Sequence, residues 1–150
     1  MKFKILAATA VGLLLGSAAI AVTVPDMIKA RQANFKVMGR ANKGLNDEMK
    51  KPEPSLAVVR SNALALETAA RRVAGMFPKG SGAESEEKTT ALPTIWAKPR
   101  DFKVANDKLV AAARAVQLAA ATGNMERVKA AVSGVGPTCK GCHDGFRGKD

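Results

Sequence analysis

Residues 125–147 read MERVKAAVSGVGPTCKGCHDGFR, and their apolar and cysteine positions recur every three or four residues. This spacing is typical of an amphipathic helix, because residues three and four apart share one helical face. The stretch therefore predicts a helix, D, that has Cys139 and Cys142 on its buried face. Pro137 lies inside this stretch, and an interior proline removes a hydrogen bond and clashes with the preceding turn. We therefore expect a kink or a fresh helix start near Pro137.

The same period runs through three earlier segments of the chain. It predicts helix A at about 26–50, helix B between Pro54 and Pro78, and helix C between Pro99 and Gly123. No strand pattern competes, so the sequence predicts an all-α fold, an antiparallel four-helix bundle. In helix C the expected core positions are Phe102, Ala105, Leu109, Ala112, Val116 and Ala119.

Residues 79–98, between helices B and C, have no period and contain two glycines, Pro93 and three glutamates. They are expected to form a long connection without an element of its own. Loops of this length are uncommon in compact domains unless they cover or bind something. The apolar pair Ile95-Trp96 at its end should fold back onto the core.

The residue counts limit the chemistry. The chain has 150 residues, one histidine and two cysteines, which excludes sites that need two histidines and leaves a four-ligand zinc site short of ligands. Its formal net charge is +11, so its partners could be anionic. No aromatic residues are interleaved with the basic ones, and we expect no nucleic-acid binding.

The N-terminus resembles a secretory signal. Two lysines precede an apolar run that ends at Ala19-Ile20-Ala21, which fits the small-x-small cleavage rule. We predict that residues 1–21 are cleaved, that 22–150 form one periplasmic domain with net charge +9, and that no membrane anchor remains. The alternative is a retained anchor, since 5–24 could nearly cross a bilayer.

Cys139-Lys140-Gly141-Cys142-His143 is the C-x-x-C-H pattern of covalent haem c attachment. On a helix Cys139, Cys142 and His143 share one face. Two thioethers can therefore bind the porphyrin edges while the imidazole reaches the iron. The alternatives are a thioredoxin-like redox pair, a structural disulfide and a partial zinc site. None of them explains why the sole histidine directly follows the second cysteine.

Nearly all of residues 26–147 resemble the cytochromes c-prime. The matching motifs are Arg31-Gln32 with Phe35-Lys36, Thr90-x-x-Pro93-x-Ile95-Trp96, and the C-x-x-C-H motif followed by Arg147. The resemblance implies that His143 is the axial iron ligand and that Arg147 lies beside the proximal face. It also implies that Arg31, Gln32 and Thr90 contact the haem, with a guanidinium able to meet a propionate through two parallel hydrogen bonds. A homodimer through helices A and B is implied as well.

The residue over the iron decides between two functions. A related low-spin group carries an iron-binding methionine where this chain has Phe35, and a phenyl ring cannot bind iron. We therefore expect five-coordinate, high-spin iron in an apolar distal pocket that binds nitric oxide and carbon monoxide. The alternative is a one-electron carrier with Met38 as sixth ligand and an acidic redox partner protein. A peroxidase would need a distal histidine, so we expect no enzymatic activity.

Overall fold

The computed structural model describes residues 22–149, so the predicted signal segment 1–21 lies outside the described residues. Within this range the chain forms six α-helices and one 3₁₀ turn at Val73–Gly75. The helices are α1 Val24–Glu48, α2 Leu56–Arg72, α3 Thr94–Ala97, α4 Pro99–Thr122, α5 Met125–Ser133 and α6 Val135–Phe146.

The long helices pack as a four-helix bundle, which confirms the predicted fold. Helix α1 packs on α2, α2 packs on α4, and α4 packs on both α5 and α6. Since α5 and α6 follow one another across a single-residue break, together they form the fourth rod. No helix between residues 22 and 149 is long and apolar enough to cross a membrane.

Local chemistry explains where the helices end. Thr23 and Asp26 form a reciprocal capping box at the start of α1, where Pro25 occupies the first turn. Helix α4 ends at Gly123, whose φ of 72° is in the left-handed region that glycine adopts without strain. The Asn124 side chain then accepts a hydrogen bond from the Arg127 N–H and begins α5.

The predicted interruption of helix D is confirmed, and it lies at Gly134. Helix α6 restarts at Val135, so Pro137 falls in its first turn. A first-turn residue has no intrahelical acceptor for its N–H, and the missing proline N–H therefore costs little there.

The buried stripe of α4 differs from the prediction at every second one of the six expected core positions. Asn106, Ala113 and Ala120 are buried, whereas the expected Ala105, Ala112 and Ala119 are only half-buried. The large apolar residues of this stripe recur every seven residues. Such a repeat does not decide whether the residue three or four positions after each of them faces the core. At 3.6 residues per turn both lie near the same face, and here the packing of α4 selects the fourth.

The connection between the second and third rods contains the short helix α3, which the sequence did not predict. Ile95 is buried, and the Trp96 Nε1–H donates to the carbonyl oxygens of Phe77 at 3.1 Å and Pro78 at 3.2 Å. The apolar pair therefore packs onto the core as expected.

The same connection is hydrogen-bonded to the end of α6. The Leu92 N–H donates to the Phe146 carbonyl at 3.0 Å, and the Gly148 N–H donates to the Thr90 carbonyl at 2.7 Å. The Thr94 hydroxyl donates to the Gly145 carbonyl at 2.7 Å. These bonds hold the loop against the helix that carries the C-x-x-C-H motif.

Candidate haem site

One cavity of about 1080 Å³ lies between the rods and the loop. Its volume is slightly above the usual range of pockets that bind drug-sized ligands. The structure places all the site residues expected from the sequence around it: Arg31, Gln32, Phe35, Thr90, Cys139, Cys142, His143 and Arg147.

The two cysteines lie on α6 and are half-buried against the core rather than fully buried. Burial raises the pKa of each thiol. A thioredoxin-like pair needs a lowered thiol pKa, so this environment argues against redox exchange. No group of three or more histidine, cysteine or acidic side chains that could hold a metal ion occurs in the described part of the chain.

His143 borders the same cavity next to Cys142. Burial lowers the pKa of its imidazole, and the positive charge of Arg147 lowers it further. Both effects favour the neutral ring, which is the form that binds a metal ion.

Phe35 belongs to an aromatic cluster at one end of the cavity. Its ring is edge-on to Phe77 with centroids 6.3 Å apart, and Phe77 packs on Phe102 at 4.9 Å. Phe102 in turn contacts Phe146 of α6 at 5.2 Å. The cluster links the residue expected over the iron to the helix that carries His143.

Met38 also lines the cavity, but it is buried and its sulfur has a partner. The Asn34 side-chain amide lies 3.8 Å from the Met38 sulfur and donates to the Ala69 carbonyl at 2.9 Å. These contacts hold Met38 within the core of α1 and α2.

Arg31 is buried, with 2% of its surface exposed, and it binds the loop. Its two terminal nitrogens donate to the Met76 carbonyl, to the hydroxyl and carbonyl of Ser81, and to the Thr89 hydroxyl, at 2.8–3.4 Å. Only its Nε–H has no acceptor among the described residues. Two parallel hydrogen bonds from Arg31 to a propionate would therefore require the loop contacts to break.

Asn106 is a cavity residue that the sequence analysis missed. It is 4% exposed, and its side-chain oxygen is the only buried side-chain nitrogen or oxygen atom in the described range without a hydrogen-bond partner. A buried oxygen of this kind usually binds a ligand or an ordered water. The sequence does contain a signal for it, because Asn106 is a single asparagine within the apolar stripe of α4, four residues after Phe102.

These residues fit a covalently attached haem. The cavity provides two thiols and a neutral imidazole on one helix, an aromatic wall, and an unpaired buried oxygen of the kind that a bound group or its water would satisfy.

Comparison with known proteins agrees with this fit. Residues 26–147 match the family model described as Cytochrome C'. The chain is 35% identical over 150 residues to cytochrome c' of Rhodopseudomonas palustris, with 99% of each chain covered.

Two solved structures are similar as well. A nitric oxide complex of a mutant cytochrome c prime from Alcaligenes xylosoxidans has a TM-score of 0.75 at 27% identity, covering 84% of this chain and 97% of that one.

The second structure is described as a cytochrome c' with an unusual ligand-controlled dimer dissociation. It has a TM-score of 0.79 at 26% identity, and the match covers 86% of this chain and 99% of that one. Members of this family carry one covalently attached haem c, and this chain has the two cysteines that attachment needs. The chain belongs to the cytochrome c' family.

Proposed function

We propose that this protein is a periplasmic c-type haem protein with five-coordinate, high-spin iron that binds nitric oxide and carbon monoxide. Cys139 and Cys142 would hold the haem through two thioether bonds, and His143 would bind its iron. The bound haem supplies an open coordination position, and the surrounding residues determine what reaches it. The position of Phe35 on the cavity wall carries the proposal.

Phe35 acts as an apolar shield. Its ring cannot bind iron, and its contact with Phe77 holds it in the aromatic cluster beside the cavity. A small neutral gas can enter when the ring moves aside, whereas bound dioxygen would find no hydrogen-bond donor on this side chain. The nitric oxide complex of the Alcaligenes xylosoxidans relative supports the same ligand class here.

The electron-carrier alternative needs Met38 as a sixth ligand. Its buried sulfur lies against Asn34, so reaching the iron would break that contact and leave a gap in the core. This observation favours five-coordinate iron. The sole histidine is used as the axial ligand, so no acid–base histidine remains and we propose no enzymatic turnover.

The remaining site residues act at the rim. Arg147 lies one turn beyond His143, lines the cavity, and lowers the pKa of that imidazole. Gln32 and Thr90 line the cavity too; Gln32 also joins α1 to the loop, and the Thr90 carbonyl accepts the Gly148 N–H just beyond the end of α6. We assign Arg31, Gln32 and Thr90 to haem contact and to holding the loop that covers the haem.

We propose that the protein forms a homodimer through α1 and α2. A second, mostly apolar groove of about 560 Å³ runs along the outer faces of these helices and includes Val37, Leu64 and small residues such as Ala30 and Ala33. Small side chains allow close helix approach, and Leu64 is 55% exposed in the single chain. The Leu64→Glu variant should shift the sedimentation equilibrium towards the monomer, and an unchanged dimer would contradict this interface.

The spin state of the iron tests the main proposal. Electron paramagnetic resonance of the ferric protein should show high-spin iron in the wild type and equally in Met38→Leu. A low-spin wild-type signal that becomes high-spin in Met38→Leu would establish Met38 as a ligand and favour the electron carrier. Export is tested separately, because the mature periplasmic chain should begin at Val22.

A further inference from the structure

The last turn of α6 carries His143 and ends without a glycine cap. The His143 carbonyl accepts the Arg147 N–H at 3.1 Å and closes this turn. Arg147 itself is extended, whereas α4 ends at the left-handed Gly123. The final carbonyl groups of a helix have no donor within that helix, so the end of α6 needs donors from elsewhere.

The segment 90–94, in the connection between α2 and α4, supplies donors to this turn. The Thr94 hydroxyl donates to the Gly145 carbonyl at 2.7 Å. The Leu92 N–H donates to the Phe146 carbonyl at 3.0 Å. Both carbonyls belong to the turn that begins at the histidine, so a distant part of the chain caps the end of α6.

This segment is itself anchored to the rest of the fold. The Thr90 carbonyl accepts the Gly148 N–H at 2.7 Å, just beyond α6. On the other side, Ile95 is buried and the Trp96 indole donates to the Phe77 carbonyl at 3.1 Å. The donors that cap α6 are therefore held in place from both directions along the chain.

The imidazole of His143 has little other support. A metal-binding histidine usually donates its second ring N–H to a carboxylate, a carbonyl or water, which fixes the direction of the ring. Among residues 22–149 no acceptor lies within hydrogen-bond distance of this ring, and the Asp144 carboxylate pairs with Lys140 instead. The direction of the imidazole therefore depends on the backbone of its own turn.

We propose that Thr94 is a positioning residue for His143, because its bond to the Gly145 carbonyl holds the turn that directs the imidazole at the iron. The inference rests on the covalent haem and the histidine ligation proposed above. Thr94 is not among the residues that the resemblance assigns to the haem. Gly145 makes the support important, since glycine restrains the backbone least, and an added Cβ there would meet nothing within 4 Å.

The iron–histidine stretching band of the ferrous, haem-loaded protein tests this in resonance Raman spectra, because its frequency depends on the geometry and strength of that bond. Thr94→Val keeps the shape of the side chain without the hydroxyl, and it should lower the frequency. Thr94→Ser keeps the hydroxyl and should retain the wild-type band. The matched control is Thr122→Val, which removes a hydroxyl that donates to the Ala119 carbonyl at 2.7 Å, outside the cavity. It should leave the band unchanged.

A crystal structure of the haem-loaded wild type gives a second measurement that needs no variant. It should show the Thr94 hydroxyl still within hydrogen-bond distance of the Gly145 carbonyl. A broken bond there, an unchanged band in Thr94→Val, or an equal shift in Thr122→Val would overturn the inference. Wild-type protein without covalent haem, or with haem but without an iron–histidine band, would contradict the proposed function and this inference with it.

Discussion

The ring of Phe35 on α1 meets the ring of Phe77 edge-on, with 6.3 Å between centroids and 63° between planes. Phe77 also packs on Phe102 and Trp96, so Phe35 is supported from behind by a cluster of rings. A side chain held in this way can shield the haem without binding the iron. Its movement, rather than its chemistry, should limit the binding of a gas.

Phe35→Ala should raise the affinity for carbon monoxide about tenfold, because the ring no longer has to be displaced at a cost of roughly 1.4 kcal/mol. The measurement is an optical titration of the ferrous protein. Val104→Ala removes an exposed apolar side chain from α4 and serves as the control. Equal affinities for the wild type and Phe35→Ala would remove the steric argument.

Arg31→Met should destabilise the protein by about 2–4 kcal/mol, since several charged hydrogen bonds to buried loop groups are lost together. The guanidinium also lies 4.4 Å above the Phe77 ring, a contact that the variant cannot make. Hydrogen exchange should accelerate at residues 79–92 before the rest of the chain. Arg114→Met, at an exposed position of α4, should change neither quantity, and a protected loop in Arg31→Met would contradict the assigned role.

Gly123→Ala should destabilise the protein by about 1 kcal/mol, because a φ of 72° is strained for any residue with a Cβ. Gly136→Ala provides the opposite case within α6, where an added Cβ meets nothing within 4 Å. It should stabilise by roughly 0.5–1 kcal/mol. Thermal unfolding of the two variants checks the pair, and a change of the same sign in both would contradict the helix ends described here.

The carboxylate of Glu48 joins α1 to the start of α2. It contacts the Lys51 ammonium and accepts the Ser55 N–H at 2.9 Å, and these bonds lower its pKa below the ordinary value of 4.5. A lowered folded-state pKa stabilises the fold above pH 4.5, and this contribution is lost as the pH falls through the folded-state value. Glu48→Gln should therefore be less stable than the wild type at pH 7, and the difference should shrink below pH 4.5 in urea unfolding curves. A constant difference across this range would contradict the prediction.

Much of the fold could be predicted because the apolar period is strong and the breakers are distinct. Pro137 indicated a restart of the last helix, and the short chain between α4 and α5 indicated antiparallel neighbours. The C-x-x-C-H motif located the site because Cys139, Cys142 and His143 lie within about one turn of one helix, on the same face. These features are local, so the sequence shows them directly.

The contacts of Arg31 could not be predicted in the same way. Its acceptors are 45–58 residues away, at Met76 and in the loop without a period, and three of its four bonds go to the Met76 carbonyl and to the carbonyl and hydroxyl of Ser81. Asn106 was missed because a seven-residue repeat allows either of two adjacent positions to be buried. Which of them faces the core depends on the neighbouring helices and not on α4 alone.

An optical titration of the purified ferrous wild-type protein with nitric oxide and carbon monoxide distinguishes an open iron from one with a protein side chain as sixth ligand. We predict a high-spin spectrum that changes with both gases, since Phe35 leaves the iron open and Met38 stays in the core. A low-spin spectrum that does not respond to carbon monoxide would contradict it, and would mean that a side chain of the protein already occupies the sixth position.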